Sequence, residues 1–194
     1  MLSKNEIFET IQMIQNQNLD VRTITMSLSL LDCVCETTEK TCKKIYDKIT
    51  RRAEKLVKTG EELAAEYGIP IVNKRVSVTP AALVGSACGG YVKIAETLDK
   101  AAKTIGIDFL GGYTALVSKG MTAREQEFLN SIPEAISRTE KVCSSVNVGS
   151  SKHGINMSAV AVMGEKIKEL SELTASSGGS GCAKLVVFCN AVED

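Results

Sequence analysis

Five mostly apolar segments alternate with helix-like segments along the 194 residues, and this alternation constrains the fold more than any other feature. Apolar runs between amphipathic helical patterns are typical of buried strands. A repeated β-α-β order predicts a parallel sheet with right-handed crossovers, here as one α/β domain over residues 1–194. The predicted strands are 20–33, 69–78, 107–117, 141–148 and 183–190.

Apolar residues spaced by three or four positions predict the helices between these strands. Capping boxes open the first helix, at Ser3 and Glu6, and a later helix, at Thr122 and Glu125. The longest predicted helix, 38–67, measures about 45 Å at 1.5 Å per residue. The others are a short helix after Pro80 and helices over 91–105, 122–137 and 156–173.

The composition argues against several classes of function. The chain has 23 basic and 23 acidic side chains, no Trp, four Tyr and four Phe, so neither a basic surface nor stacking aromatics favour nucleic-acid binding. Its apolar runs are too short to span a bilayer, so no membrane association is expected. Seven scattered cysteines are typical of reduced thiols, which predicts a cytoplasmic protein.

Candidate ligand-binding residues lie on the second and fourth strands. Arg75 stands inside an otherwise apolar strand, and with Ser77 it is a candidate clamp for a carboxylate or phosphate. Asn147 lies near the carboxyl end of the fourth strand, where ligands of open parallel sheets bind. A small anionic ligand is therefore the expected binding partner.

The loop after the fourth strand, within "VNVGSSKHGINM", allows two interpretations. Its backbone N–H groups and Lys152 are suited to an anion at a helix N-terminus, although no phosphate-binding motif matches. Alternatively, it is a polar turn whose Asn156 caps the next helix. The complete set of candidate ligand-binding residues is Arg75, Ser77, Asn147, Gly149, Ser150, Ser151, Lys152 and Asn156.

No catalytic residue can be assigned from the pattern, and no metal or cofactor is expected. His153 is the only histidine, so a metal site there needs other ligands. Cys33 and Cys35 have C-x-C spacing, with Cys42 nearby. Residues i and i+2 of a strand share a face, which favours packing of both thiols in the core.

Several segments carry a resemblance to a known family: "RVSVTP", "GGYTALVSKGMT", "SIPEAI", "VCSSVNVGS", "GINM" and "GCAKLVVFCNA". They are similar to an uncharacterised bacterial and archaeal family labelled PFL, after its structural kinship with pyruvate formate-lyase-type glycyl-radical enzymes. The resemblance implies a ten-stranded α/β barrel of two five-stranded half-sheets, a homodimer, and no established activity or cofactor. This chain resembles the N-terminal half of that family, which makes its sheet a half-barrel.

The chain also departs from the family. Members are usually more than twice as long, and nothing here matches the radical glycine of glycyl-radical enzymes. The family commonly has Ala where His153 stands and Asp where Ser158 stands. A catalytic role for His153 therefore loses support, and no site role can be carried over to Ser158.

The missing half has a physical consequence. Right-handed crossovers that run in one direction place all helices on one face of the sheet, and the other face is expected to be apolar and exposed. The chain is therefore expected to form a homodimer, to associate with a second polypeptide that covers this face, or to aggregate.

Three functions are compatible with these features. The first is an enzyme, or enzyme-derived barrel, that acts on a small anionic metabolite. The second is a non-catalytic metabolite-sensing or regulatory subunit with the same pocket. The third is a truncated gene product without independent function.

Overall fold

The computed structural model of the protein describes residues 3–16 and 21–190. It shows an α/β fold with a mostly parallel central sheet, as the alternation predicts. The strands are β1 (Thr23–Leu28), β2 (Asn73–Val78), β3 (Phe109–Leu116), β4 (Val142–Ser150), β5 (Gly154–Ile155) and β6 (Leu185–Cys189). The helices are α1 (Lys4–Gln15), α2 (Thr38–Arg52), α3 (Leu56–Tyr67), α4 (Ala81–Val84), α5 (Tyr91–Ile105), α6 (Ala123–Arg138) and α7 (Met157–Leu173).

Five strands pair in parallel in the order β1-β2-β3-β4-β6, so strands that follow one another in the chain are neighbours in the sheet. The two-residue β5 runs antiparallel to the end of β4. Helix α2 packs on α5, α5 on α6, and α6 on α7, which makes one continuous layer. This layer covers one face of the sheet.

The core lies between the sheet and the helix layer. Alternate strand residues, such as Val76, Leu110 and Val146, are almost completely buried against helix residues such as Ile49 and Leu98. Burying one such aliphatic side chain contributes roughly 1.5–3 kcal/mol, so this layer supplies most of the driving force for folding.

The prediction of one long helix over 38–67 is wrong, because a turn at 53–55 separates α2 from α3. A continuous rod of about 45 Å greatly exceeds a six-residue strand of about 20 Å. The turn keeps α3 over the sheet. There Gly60 packs so closely that an added Cβ would stand 2.7 Å from Ile24 Cδ1.

The first strand is also shorter than predicted. It ends at Leu28, and Leu31–Cys33 forms a 3-10 turn, while residue 20 lies outside the described residues. Thr79 Oγ1 accepts a hydrogen bond from the Leu30 N–H at 3.0 Å, which turns the chain away from the sheet. Another 3-10 turn, Ser180–Lys184, shortens the last strand in the same way.

Local capping signals predicted several element ends well. Both capping boxes are present, with Ser3 and Thr122 accepting from the backbone N–H three residues later. Helix α5 has the predicted bounds and ends at Gly106, whose φ of 74° is unstrained in glycine. Asn156 caps α7 as one of the two interpretations of its loop proposed.

Asp99 joins α5 to the turn that enters β4. Its Oδ1 accepts hydrogen bonds from the N–H groups of Lys141 at 2.7 Å and Glu140 at 2.9 Å, and its Oδ2 lies 3.0 Å from Lys103 Nζ. Burial alone would raise the pKa of Asp99, but these donors outweigh it and hold the pKa below its ordinary value. The ionised carboxylate therefore stabilises the folded chain.

Replacement of Asp99 by Asn should lower the free energy of unfolding at pH 7 by about 1.5–3 kcal/mol, the usual value of hydrogen bonds to a charged group. Because the folded-state pKa is depressed, the stabilisation is complete above the unfolded pKa near 4 and is lost as the pH falls through the folded pKa. Urea unfolding should show that the difference in free energy of unfolding between variant and parent is largest at pH 7 and shrinks as the pH decreases.

Glu96→Gln is the matched control, since within the described residues Glu96 forms only an exposed ion pair, with Arg138 at 3.4 Å. Its effect should stay below about 1 kcal/mol. A difference between Asp99→Asn and the parent that is independent of pH would contradict a role for the ionised carboxylate.

Candidate functional site

The two faces of the sheet differ in what they contact. On the helix side, a Cβ added to Gly60 of α3 would approach the side chains of Ile24 and Lys74. Successive strand residues point to opposite faces, so Thr25 and Arg75 point away from the helices. We call the side that the helix layer does not cover the open face. Its residues are Thr23, Thr25, Ser27, Asn73, Arg75, Ser77, Phe109, Gly111, Thr114, Leu116, Cys143, Ser145, Asn147, Val186 and Phe188.

The centre of the open face is polar, which corrects the expectation of an exposed apolar surface. Thr and Ser hydroxyls recur on β1 to β4, and the large apolar side chains lie toward its periphery, with Leu116 and Val186 51% and 55% exposed. The strand segments of the sequence are rich in apolar residues because every second residue packs against the helices. The alternate positions carry hydroxyl, thiol, amide and guanidinium groups.

Arg75 is the one charged residue of the open face as defined. Its guanidinium carbon lies 5.4 Å from the centroid of the Phe109 ring on the neighbouring strand. The buried Nε has no hydrogen-bond partner, and Arg75 forms no ion pair within residues 3–16 and 21–190. A positive charge is thus held in place by stacking, without a neutralising carboxylate.

Beside Arg75, the absence of a side chain at Gly111 leaves open space above the backbone, which we call the hollow. A Cβ added to Gly111 would meet no atom within 4 Å, although Ser77 and Cys143 flank it in register on the adjacent strands. The next residue, Gly112, forms a bulge with φ of 120°, and a Cβ there would stand 2.5 Å from the Val78 carbonyl oxygen. Such bulges are over-represented next to active sites.

The thiol of Cys143 borders this hollow. Burial raises its pKa, while the positive charges of Lys184 and Arg75 act in the opposite direction. Because the pKa is raised overall, the thiol is neutral at pH 7. Cys143 is therefore a polar contact for a ligand rather than a ready thiolate nucleophile.

Further along the strands, the hydroxyls of Thr114 and Ser145 are hydrogen-bonded to each other at 2.8 Å. Asn147 is only 3% exposed, and its Oδ1 accepts from the Gly149 N–H at 3.3 Å. Its Nδ2 makes no hydrogen bond within the described part of the chain. These groups extend the polar surface toward the carboxyl ends of the strands.

The sheet brings only some of the candidate ligand-binding residues together. Arg75 and Ser77 lie at the hollow, two positions apart on β2. Arg75 pairs with Phe109 near the start of β3, whereas Asn147 pairs with Leu116 at its end. The two pairs are three two-residue steps apart, so Asn147 lies about 20 Å from Arg75 along the strands. The strands β4 and β5 form an antiparallel hairpin. The remaining candidates lie at the end of β4, in the turn of this hairpin and directly after β5: Gly149, Ser150, Ser151, Lys152 and Asn156.

The hairpin already uses most of the donors that an anion would need. Ser150 Oγ accepts from the His153 N–H at 3.2 Å and lies 3.1 Å from His153 Nδ1. Asn190 Oδ1 accepts from the Ser151 N–H at 3.1 Å. Asn156 caps α7 through Oδ1 and donates from Nδ2 to the Val117 carbonyl at 2.8 Å. The geometry thus favours the turn interpretation of this loop.

The three nearby cysteines, Cys33, Cys35 and Cys42, do not form a metal site among the described residues. Cys33 and Cys42 are buried free thiols, and burial raises the pKa of both. Cys33 ends a 3-10 turn rather than sharing a strand with Cys35. No group of three or more His, Cys, Asp or Glu residues in the described ranges is arranged to hold a metal ion.

Sequence reasoning assigned no site role to most polar residues of the open face: Thr23, Thr25, Ser27, Asn73, Thr114, Cys143 and Ser145. The signal was present in "TITMSL" and "CSSVNV", where small polar residues occupy every second position. A period of two marks a face, but only the register shows that these positions adjoin across strands.

Within residues 3–16 and 21–190, every helix is too short or too polar to cross a bilayer.

Comparison with known proteins gives a consistent match. The family described as "Uncharacterised ACR (DUF711)" matches residues 12–194. A UPF0210 protein of Ruminiclostridium cellulolyticum is 61% identical over 196 residues, and UPF0210 proteins of Clostridium perfringens and Acetivibrio thermocellus are each 58% identical over 196 residues. Each alignment covers 100% of this chain and 43% of the relative.

The chain therefore spans less than half the length of these curated relatives. Their names state no activity, substrate or partner, and the kinship with pyruvate formate-lyase stays an expectation from the resemblance alone. The family match itself extends over almost the entire sequence. The chain belongs to the DUF711 family of uncharacterised proteins.

Proposed function

We propose that the open face of the sheet binds a small anionic metabolite at Arg75, above the hollow at Gly111. The observation that carries this proposal is the unneutralised guanidinium. Arg75 is half-buried, with its Nε buried, on a face of the kind that parallel sheets usually have covered. Once that face is covered, an unpaired guanidinium is costly, and arginine in such a place is usually paired with a carboxylate or phosphate. An anionic ligand supplies the missing partner.

The surroundings of Arg75 favour a ligand of limited size. Phe109 supports the guanidinium from one side, and Gly111 leaves space for an atom group above the backbone. The Ser77 hydroxyl and Cys143 thiol lie on either side of that space. Together they provide one charged contact and two neutral ones, which suits a carboxylate or phosphate group with a small polar body.

We favour a function in which the open face binds its ligand without catalysing a reaction. The open-face residues include no carboxylate or imidazole to act as a general base, and the thiol of Cys143 is neutral. A metabolite-sensing or regulatory subunit needs no more than the binding groups. An enzyme with the same pocket needs acid–base groups from whatever covers the open face.

The covering element is a second polypeptide or a second copy of the chain. Parallel sheets occur almost only with both faces covered, and the relatives carry more than half of their length outside the matched part. In the ten-stranded arrangement that the resemblance implies, this sheet is one half-barrel and the open face lines its interior. The apolar periphery, including Leu116 and Val186, is then the contact with the other wall.

Arg75→Gln should abolish binding of a small anion, because it removes the charge and keeps most of the side-chain volume. Gly111→Leu should have the same effect by filling the hollow. In the parent chain, phosphate or acetate at about 100 times its Kd should stabilise the fold by about 2.7 kcal/mol. This corresponds to a rise in melting temperature of roughly 5–10 °C, measured by differential scanning fluorimetry.

Arg52→Gln and Gly164→Leu are matched controls on exposed helix surfaces and should keep the full shift. Lys152→Ala should also keep it, because the hairpin lies far from Arg75. In addition, a bound anion should slow the alkylation of Cys143, which peptide mass analysis measures. An equal anion-induced shift in Arg75→Gln and Arg52→Gln would rule out the proposed site.

Association through the periphery of the open face can be tested separately. The parent chain should run as a homodimer or larger species in size-exclusion chromatography with light scattering. Val186→Lys should shift it toward the monomer, since a charge opposes burial of this position. Leu173→Lys on α7 is the control and should leave the oligomeric state unchanged. Leu173 is 53% exposed, close to the 55% of Val186. A monomeric parent chain would contradict self-association and leave a second polypeptide as the covering element.

A further inference from the structure

We infer that the ligand of the open face is a polyhydroxylated carboxylate, a molecule of the sugar-acid class. This inference rests on the proposed function, because it takes anion binding at Arg75 as its starting point. It adds the chemistry of the rest of the ligand. The evidence is the charge of the open face, the hydroxyl groups on it and their spacing.

The charge favours a carboxylate over a phosphate. Arg75 contributes the one positive charge of the defined open-face residues. The charge of Lys184 also acts on Cys143, but its Nζ donates to the carbonyls of Ile136 and Thr139 instead of lying on the open face. The Nε of Arg75 is buried, so only the terminal edge of the guanidinium is presented. That edge matches the two oxygens of a planar carboxylate, whereas a phosphate dianion at pH 7 would keep an uncompensated charge.

The hydroxyls favour a hydroxylated body. Thr25, Ser27 and Ser77 make no side-chain hydrogen bond within the described residues, and Thr114 and Ser145 bond only to each other among them. A hydroxyl has one donor and two acceptor positions, so the Thr114–Ser145 pair retains a donor and several acceptors. An aliphatic ligand over these groups would remove their water without replacing its hydrogen bonds, which is unfavourable.

The spacing sets the length of the ligand. Cys143 and Ser145 are two residues apart on β4, about 6.7 Å along the strand. A carboxylate held by Arg75 beside Cys143 therefore reaches the Thr114–Ser145 pair through a chain of about six carbons, given bonds of about 1.5 Å. Asn147, one further step along β4, is beyond the reach of such a chain.

The experiment compares D-gluconate with hexanoate, which has the same charge and number of carbons but no hydroxyl groups. Isothermal titration calorimetry of the parent chain should show gluconate binding at least tenfold more tightly. The double variant Thr114→Val with Ser145→Ala should bring the two affinities within about twofold. A matched control, Ser177→Ala with Ser180→Ala, removes another hydroxyl pair at 2.8 Å and should keep the tenfold preference.

Three results would overturn the inference, and they can be told apart. Equal affinities for gluconate and hexanoate that both depend on Arg75 reject the hydroxyl contacts and leave anion binding intact. Tighter binding of glucose 6-phosphate than of gluconate rejects the carboxylate. Affinities for acetate, phosphate and gluconate that are all unchanged in Arg75→Gln reject the proposed function itself.

Discussion

Parallel pairing of five strands in chain order is the constraint on which the rest of the molecule depends. Because the five main strands pair in chain order, the connecting helices return on the same side, and α2, α5, α6 and α7 pack one against the next. The apolar half of each strand then faces the helices. The other half forms the open face, where the polar residues of four strands meet.

The energetic division between the two faces follows from this pairing. The helix side buries aliphatic residues such as Ile45, Leu98 and Leu110 almost completely and supplies the stability of the fold. The open face contributes little to that core and is free to hold groups that would be costly inside it. Arg75 illustrates the difference, because its guanidinium rests on Phe109 without a counter-charge.

Local signals predicted the fold class and many element ends, because they act within one turn of a helix. The capping boxes at Ser3 and Thr122 and the helix end at Gly106 were recognised from adjacent residues. The break at 53–55 was not, because both α2 and α3 continue a helical pattern. The break is set by the length of the strands beneath them, which a one-dimensional pattern does not contain.

The site shows the same limit. Arg75 was proposed from its position in an otherwise apolar strand, and its proximity to Ser77 follows from the period of two alone. The sequence could not show that Asn147 lies about 20 Å from Arg75, or that Gly111 leaves a hollow between Ser77 and Cys143. Both depend on the register of β2, β3 and β4.

By itself, then, the sequence determined the α/β class, the helix caps and the alternation of apolar and polar strand positions, because these are short-range properties of the chain. Only the tertiary structure decided that the alternate polar positions form one continuous surface, and that the loop at His153 folds as a hairpin with most of its donors occupied. The physical reason is that strand register and helix packing bring together residues far apart in the chain, and each contact depends on all the others.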